Sequence, residues 1–427
     1  MRLRSLALAT AVTLAVLACR GAPADARPVV TMSGSALGAE GAVLARQLER
    51  FRRLHPEIDV RLQRTPDDAT QRHQLYVQWL NARVGDPDVL QLDVVWTPEF
   101  AAAGWLLPLD RFHPDTAAFF PNILDANRWR DSLYALPWFV DVGLLYWRTD
   151  LMARAPGSIE ELMAGAVPPW RIVWQGARYE GLVTVFLEYL GAFGGRILDD
   201  SGRVLVDRPE AVRALETMRA QLVRGLAPRE VLTWHEEETR FAFQNGEAAL
   251  MRNWPYAYAM LADSTQSKVA GRFAVATMPA SRTAPHGHPT AALGGSPLAI
   301  NAWTEHPREA WLLLAYLVAP EQMLERARVV GQFPTRTAVW DDPRLAQALR
   351  IPVAEARAAV TSAMARPATP VYTELSDLLQ VQLHRALAGQ AEPAAALHTA
   401  ARDIDALLER TGVRAMMRGA PVPGATR

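Results

Sequence analysis

The first folded stretch of the chain alternates between the two periodicities that distinguish strands from helices. Short apolar or alternating runs at 29–32, 58–62 and 89–95 predict strands, and the last is typical of a buried parallel strand. Between them, apolar residues recur every three or four positions over 39–54, and a second helical pattern follows Asp68, a candidate N-cap. Strand and helix in alternation predict an α/β domain with a parallel sheet.

The middle and the last third of the chain are dominated by helical patterns. The predicted helices cover 158–164, 181–191, 209–224, 236–244, 256–262, 307–317, 352–364, 373–388 and 392–410. Strands are predicted around Phe273 and at 297–300, on either side of a loop at 279–290 that contains several Pro and Gly residues. The tail 412–427 has little periodicity, and we expect it to be disordered.

Strand patterns reappear late in the chain, after the long helical region. This order indicates how the chain connects its parts. A chain that builds one lobe, leaves it for a second and then returns would produce it, and 427 residues exceed the ~250–300 that one core usually supports. We therefore predict an α/β protein of two lobes, joined by a hinge with a ligand cleft between them. The first lobe is assigned to 29–138 and 281–333, and the second to 139–280 and 334–411.

The N-terminal residues have the pattern of a targeting segment. After a basic start, the apolar run at 6–17 is too short to span a bilayer but suits a signal peptide over residues 1–18. The four residues 16–19 resemble a bacterial lipobox, and Cys19 is the only cysteine of the chain. We interpret Cys19 as the attachment point of a diacylglycerol anchor and residues 19–28 as a flexible tether, so that the protein is held at the outer side of the cell membrane.

Composition and motifs exclude several classes of function. The chain has 45 basic and 45 acidic residues, so we expect no general attraction to nucleic acid. No sequence motif of a nucleotide site, a serine hydrolase or a zinc protease is present, and we expect no cofactor and no catalysis. His286 and His288 form a possible metal pair, but a solvated loop is the better interpretation because no further ligands are near in sequence.

Aromatic residues next to carboxylates are the main chemical signal. A sugar packs its C–H faces on aromatic rings and offers its hydroxyls to carboxylate, amide and guanidinium groups. Thirteen Trp are present, and four short segments combine both types of side chain. These segments contain Asp93 with Trp96, Asp141 after Trp138, Trp254 with Tyr256, and Trp174, Gln175, Tyr179 and Glu180. Each set also has a structural interpretation: Asp93 could end a strand and cap the next helix, and Asp141 and Trp254 could serve packing alone.

Five segments, in order along the chain, resemble the family 1 extracellular solute-binding proteins of ABC importers. They are VLQLDVVWTPEFAAAGWLLPLD (89–110), YALPWFVDVGLLYWRTDL (134–151), RFAFQNGEAALMRNWPYAYAM (240–260), LGGSPLAINAWTEHPREAWLLLAYL (293–317) and GQFPTRTAVWDDP (331–343). The resemblance extends from about residue 29 to 410, and segments 172–183, 253–258 and 365–376 look most like the trehalose/maltose-binding branch. It implies a two-lobed periplasmic-binding-protein fold of type II that binds a small sugar as a monomer and delivers it to the permease subunits.

The resemblance also implies a set of ligand-binding residues. Glu40 would lie in the loop after the first strand and Arg72 on the second helix, while Asp93 and Asp141 would hold sugar hydroxyls. Trp254 would be the platform for a sugar ring, with Tyr256 beside it. Gly295 would contribute a backbone contact and Arg366 would come from the last lobe crossing.

One position departs from that branch. Ser296 follows Gly294 and Gly295 where the branch often has Trp, and a small hydroxyl cannot replace a stacking ring. The sequence therefore leaves open which sugar binds. A phosphodiester or an aminated sugar is an alternative, for which Arg72 or Arg366 would face a phosphate, and a glycoside hydrolase is a second alternative because such enzymes also pair carboxylates in a sugar cleft.

Overall fold

The computed structural model describes residues 27–34, 38–66, 69–164 and 170–417. The predicted signal peptide, Cys19, most of the tether and the candidate cap Asp68 lie outside these residues. The described strands are β1 (Val29–Gly34), β2 (Asp59–Arg64), β3 (Val89–Gln91), β4 (Arg128–Trp129), β5 (Ser132–Leu133), β6 (Ala135–Val142), β7 (Leu144–Arg148), β8 (Trp170–Val173), β9 (Ala248–Asn253), β10 (Phe273–Ala276), β11 (Ala291–Ile300) and β12 (Ala363–Met364).

Helices fill most of the remaining chain. The described α-helices are α1 (Gly38–Leu54), α2 (Ala69–Asn81), α3 (Thr97–Ala102), α4 (Pro121–Asp125), α5 (Ile159–Leu162), α6 (Glu180–Ala192), α7 (Pro209–Val223), α8 (Glu236–Gln244), α9 (Tyr256–Ala262), α10 (Pro307–Leu317), α11 (Pro320–Val330), α12 (Pro343–Ala348), α13 (Val353–Thr361), α14 (Tyr372–Leu387), α15 (Pro393–Arg410) and α16 (Val413–Met417). Five short 3-10 helices connect them, at Val94–Trp96, Leu109–Phe112, Thr116–Ala118, Arg229–Thr233 and Thr337–Asp341.

Two sheets organise the molecule into two lobes. The larger has the order β12-β11-β3-β1-β2, with β6 also paired to β11. In it β1 is parallel to both β2 and β3, as the alternating sequence pattern predicts, whereas β11 runs antiparallel to β3 and β6. The smaller sheet, of order β10-β7-β9-β8, is built entirely from the middle of the chain. The predicted α/β fold of two lobes is thereby confirmed.

The chain passes from one lobe to the other at Gly143. This glycine separates β6 of the large sheet from β7 of the small one, and its N–H donates to the Ala292 carbonyl of β11. A Cβ added at Gly143 would lie 1.7 Å from Oε1 of Glu188. Glycine is therefore required here because a buried side chain occupies the space that any other residue would need.

Each sheet has its own hydrophobic core. Around the large sheet, Val30, Leu48, Leu298 and Leu314 belong to a cluster that packs α1 and α10 on the strands. Around the small sheet, a larger cluster joins the strands to α6, α7, α14 and α15, and the fully buried Phe186 lies within it. Two separate cores allow each lobe to move as a body about the crossings.

The structure corrects two of the predicted elements. The run 89–95 is a strand only to Gln91, because the Asp93 side chain accepts from the Val95 N–H at 3.1 Å and caps the 3-10 helix that follows. The predicted helix 352–364 ends at Thr361, and its last two residues form β12, which pairs with β11. The helices and strands predicted elsewhere differ from those observed mainly in their bounds.

The tail predicted to be disordered from residue 412 begins with α16. Val413 is buried against the second core, and Arg414 forms ion pairs with Asp405 and Glu409 of α15. These contacts hold α16, which ends at Met417, against α15. The domain boundaries remain a prediction, and the one placed between residues 138 and 139 falls inside β6.

Candidate functional site

The paired strands β6 and β11 bring Asp141 and the two glycines Gly294 and Gly295 together where the lobes meet. Asp141 is directly opposite Gly294, and Val140 is opposite Gly295. Gly295 has φ of +113°, and a Cβ there would lie 2.4 Å from the Phe139 carbonyl oxygen. No side chain fits at this position, so the β11 backbone is left bare beside Asp141.

Trp254 lies at the end of β9, on the second lobe, with its ring over the same two strands. A Cβ at Gly294 would come within 3.3 Å of the ring, which shows how closely backbone and indole approach. The indole N–H donates to Glu236 at 3.3 Å, and the Arg252 guanidinium lies 4.1 Å from the ring centroid. These contacts fix the plane of a half-buried aromatic ring, as a platform for the apolar face of a sugar requires.

A fully buried ion pair supports this platform. Arg252 donates to Glu188 through Nε at 3.0 Å and Nη2 at 2.7 Å, and its Nη1 donates to Gln175 at 3.2 Å. Glu188 also accepts from the Ala292 N–H of β11 at 3.1 Å. Each of the three nitrogens of this guanidinium donates to a protein acceptor. The pair is therefore a structural unit that connects Trp254 to the lobe crossing.

Asp141 is in the opposite situation. Among the described residues, none donates a hydrogen bond to its carboxylate. Burial, helped by the negative charges of Glu40 and Asp93 and opposed by the positive charge of Arg326, raises the pKa of Asp141 to about 7. A half-buried carboxylate without donors has acceptor sites that a ligand hydroxyl can fill.

Glu40 faces this carboxylate from the first lobe. The resemblance implied a loop position, but Glu40 belongs to the first turn of α1, where a negative charge is favoured by the helix dipole. Its carboxylate accepts from Nη2 of Arg326 at 3.1 Å. Sequence reasoning missed Arg326, although an arginine on the apolar face of α11, beside Met323 and Ala327, was a signal for a buried cation.

Arg366 joins the two lobes from the last crossing. Its Nη1 donates to Glu180 of α6 at 2.9 Å, its Nη2 donates to the Leu293 carbonyl at 3.3 Å, and Nη2 lies 3.5 Å from Oδ1 of Asp93. Burial opposes the charge, but the carboxylates of Asp93 and Glu180 raise the pKa of Arg366 above its usual range. The structure therefore brings two of the expected ligand-binding residues, Asp93 and Arg366, together and adds Glu180 to them.

The main contacts of Arg72, Tyr256 and Ser296 are with other groups of the protein. Arg72 is buried, with its guanidinium 5.4 Å from the Trp96 ring centroid and Nη1 on the Pro66 carbonyl. The Tyr256 hydroxyl donates to Glu237 at 2.7 Å on the more exposed side of α9. Ser296 is buried and accepts from Gln91 Nε2 at 3.3 Å, so the hydroxyl belongs to the sheet interior.

A wide groove of about 1,590 Å³ opens elsewhere on the molecule. Its walls include Asn122, Arg196, His286 and Arg357, and Arg366 is the one predicted ligand-binding residue that it shares. The candidate ligand site is the region of Asp141 and Trp254 and not this groove, because the Trp254 ring packs on Gly294, the partner of Asp141 across the strands, and the Asp141 carboxylate accepts no hydrogen bond from the described residues.

Among residues 27–34, 38–66, 69–164 and 170–417, no group of three or more His, Cys, Asp and Glu side chains could hold a metal ion. Within the same ranges, no helix has the length and apolar character needed to cross a membrane.

The fold and the site together define a two-lobed binding protein with its candidate ligand residues at the strands that cross between the lobes. Residues 48–352 match the model of the bacterial extracellular solute-binding proteins, and the chain belongs to this family. A Deinococcus radiodurans protein described as a probable ABC transporter-binding protein is 36% identical over 80% of this chain and 84% of its own length.

Solved structures agree with this assignment. Maltose-bound MalE3 of T. maritima is 40% identical and superposes with a TM-score of 0.77, covering 89% of this chain and all of that one. The sugar-binding protein MalE of Xanthomonas citri shares the fold with a TM-score of 0.78 at 23% identity, over 92% of this chain and 100% of that one.

Proposed function

We propose that this protein binds a small sugar, most simply a disaccharide such as maltose or trehalose, between its two lobes and delivers it to the membrane subunits of an ABC importer. The observation that carries the proposal is that the indole ring of Trp254, fixed by Arg252 and Glu236, lies over the strands that carry Asp141, whose carboxylate accepts no hydrogen bond from the described residues. The ring suits a sugar's C–H face, and the carboxylate suits its hydroxyls.

Similar proteins support the choice of ligand and of transport. MalE3, at 40% identity, was solved with maltose bound, and the D. radiodurans relative is described as a probable ABC transporter-binding protein. We further propose that Cys19 carries a lipid that anchors the protein outside the cytoplasmic membrane, where an importer would receive its sugar. Residue-by-residue, the proposed ligand contacts are Glu40, Arg72, Asp93, Asp141, Trp254, Tyr256, Gly295 and Arg366.

The contacts of Arg366 favour a neutral sugar over a phosphodiester. Arg366 is already paired with Glu180 and faces Asp93, so its positive charge is compensated within the protein. Adding a phosphate would place a third negative group against the same guanidinium.

A thermal-shift screen of the protein from residue 27, with mono- and disaccharides, sugar phosphates and glycerophosphodiesters, tests the proposal. A disaccharide at 100 times its Kd should stabilise the protein by about 2.7 kcal/mol. Asp141→Ala and Trp254→Ala should abolish the shift. Trp311→Ala is the matched control, because Trp311 stacks on Phe112 at 4.9 Å, away from the crossing strands, and should keep the response. A response to phosphorylated compounds alone would contradict the proposal.

The same preparations separate binding from hydrolysis. Maltose incubated with the protein for a day and followed by proton NMR should remain intact while its signals broaden through binding. Release of glucose that is lost in Asp141→Ala would contradict the proposal and make the protein a glycosidase.

A further inference from the structure

Arg326 is an almost fully buried cation beside the proposed sugar site. Its guanidinium stacks on the ring of Trp138 at 3.7 Å and lies 5.2 Å from that of Phe139. Its Nε donates to Gln332 at 2.7 Å, and its Nη2 donates to Glu40 at 3.1 Å. Within the described residues, the third nitrogen, Nη1, is buried without an acceptor. The side chain is thus rigidly held, with one N–H left over.

Titratable groups from several elements lie around the carboxylate of Asp141. The carboxylates of Glu40, on α1, and of Asp93, which caps the 3-10 helix after β3, act on it, and the neutral hydroxyl of Tyr146, on β7, is also close enough to interact. Arg326, on α11, is the cation that opposes them. Several acidic groups that share one site cannot all keep their charge unless a cation compensates them.

We propose that Arg326 is a positioning residue for ligand binding, which fixes the Glu40 carboxylate through its salt bridge and, stacked on Trp138 and Phe139 of β6, supplies the positive charge next to Asp141. This inference rests on the proposed function in one respect, that a ligand hydroxyl donates to Asp141. Arg326 itself acts through these two carboxylates, and its charge and rigid orientation are the properties that matter.

The electrostatic arrangement makes affinity depend on pH. Hydroxyls that donate to Asp141 favour its ionised form, so ligand binding should weaken as the pH falls through the pKa of Asp141, which is about 7. Removing the positive charge of Arg326 should raise that midpoint, and removing the negative charge of Glu40 should lower it. A role in folding alone would not move the midpoint in opposite directions.

Carbon-13 NMR of the Asp141 carboxyl group in the ligand-free protein measures the midpoint directly. The signal is assigned by its loss in Asp141→Asn. Arg326→Gln should raise the midpoint by about one pH unit, Glu40→Gln should lower it, and Arg326→Lys should restore it because the charge is retained. Arg336→Gln is the matched control: Arg336 also stacks on an aromatic ring, Phe119 at 4.5 Å, and should leave the midpoint unchanged.

Calorimetric titration with maltose between pH 5.5 and 8.5 then tests the link to binding. At pH 7, a midpoint raised by one unit lowers the ionised fraction, and with it the affinity of Arg326→Gln, by about fivefold, and the loss should shrink as the pH rises. If maltose does not bind the wild type, the proposed function fails while the NMR titration still decides the role of Arg326. Equal midpoints in Arg326→Gln, Glu40→Gln and the wild type would overturn the inference.

Discussion

Two buried arginines lie on either side of the strands that cross between the lobes, and they differ in how completely their surroundings satisfy them. Arg252 gives its three nitrogens to Glu188 and Gln175 and covers its face with Trp254. Arg326 has a comparable aromatic neighbour in Trp138, but one of its nitrogens has no acceptor among the described residues. Arg252 is built to hold the structure, whereas Arg326 is less completely satisfied and acts on the site through the neighbouring carboxylates.

The carboxylates near the two arginines differ in the same way. Glu188 accepts from Arg252 and from the Ala292 N–H, whereas Asp141 accepts nothing from the described chain. Since folding leaves few buried polar groups unpaired, unpaired groups that cluster at a lobe junction indicate a site. The comparison also predicts opposite behaviour on mutation: changes around Arg252 should affect stability, and changes around Asp141 should affect binding more than stability.

The largest effect should come from breaking the satisfied pair. Glu188→Ala leaves the Arg252 guanidinium buried and uncompensated, and we expect the free energy of unfolding to fall by about 3–5 kcal/mol. Chemical denaturation at pH 7 measures it. Glu392→Ala, which removes the partner of Arg219 on the surface, is the control and should leave the stability nearly unchanged. A small loss for Glu188→Ala would show that the pair does not support the crossing.

The next effect concerns the backbone of β11. Gly295→Ala combines an unfavourable positive φ with a Cβ 2.4 Å from the Phe139 carbonyl oxygen, and should lower the free energy of unfolding by about 2–4 kcal/mol. Gly225→Ala shares the positive φ, +67°, but has open space around it, so it should lose only about 1 kcal/mol. Equal losses in the two variants, compared by denaturant titration, would mean that the close approach of β6 and β11 is not enforced.

A smaller effect, and of the opposite sign, is expected at Asp141. The pKa of Asp141 in the folded protein, about 7, lies above its ordinary value. The protonated carboxyl group therefore contributes fully to the free energy of unfolding below pH 4, and the wild type loses this contribution as the pH rises through 7. Asp141→Asn has no such loss and should exceed the wild type by about 1–2 kcal/mol at pH 8, with a smaller difference at pH 5.

Denaturant titrations of both proteins at pH 5, 6, 7 and 8, without ligand, give this difference. Asp263→Asn serves as the control, because its carboxylate is exposed and engaged by Thr265 and Gln266, so no gain at high pH is expected. An Asp141→Asn protein that is less stable than the wild type at pH 8 would show that the carboxylate is a structural acceptor after all.

The elements that the sequence predicts well are those whose periodicity is local. The strand at 29–32 and the helix over 39–54 show their apolar faces directly, and the structure has them with nearly the same bounds. Strands β6 and β9 were not predicted as elements, because residues buried on both faces leave no alternation to detect. The strand at 89–95 was overextended because a capping Asp looks like any polar residue within an apolar run.

The candidate site was predictable only in part, for a related reason. Asp141 and Trp254 stand out because each carries distinctive chemistry in its own segment. The salt bridge between Glu40 and Arg326 joins residues 286 positions apart, and no local pattern reports such a pairing. Glu180 was noted for its composition, but its role as the partner of Arg366 appears only when α6 and the last crossing are placed together.

The smallest effect distinguishes Tyr256 from Trp254, its neighbour in sequence. The Tyr256 hydroxyl donates to Glu237, so it is satisfied in the way that Arg252 is, and the ring alone remains for a ligand. Tyr256→Phe should change the unfolding free energy by no more than about 0.5 kcal/mol and the Kd for maltose by no more than about twofold, by calorimetric titration. Trp254→Ala under the same conditions should abolish measurable binding. A tenfold loss in Tyr256→Phe would show that the hydroxyl exchanges Glu237 for the sugar when ligand binds, so that a group satisfied in the ligand-free protein also takes part in binding.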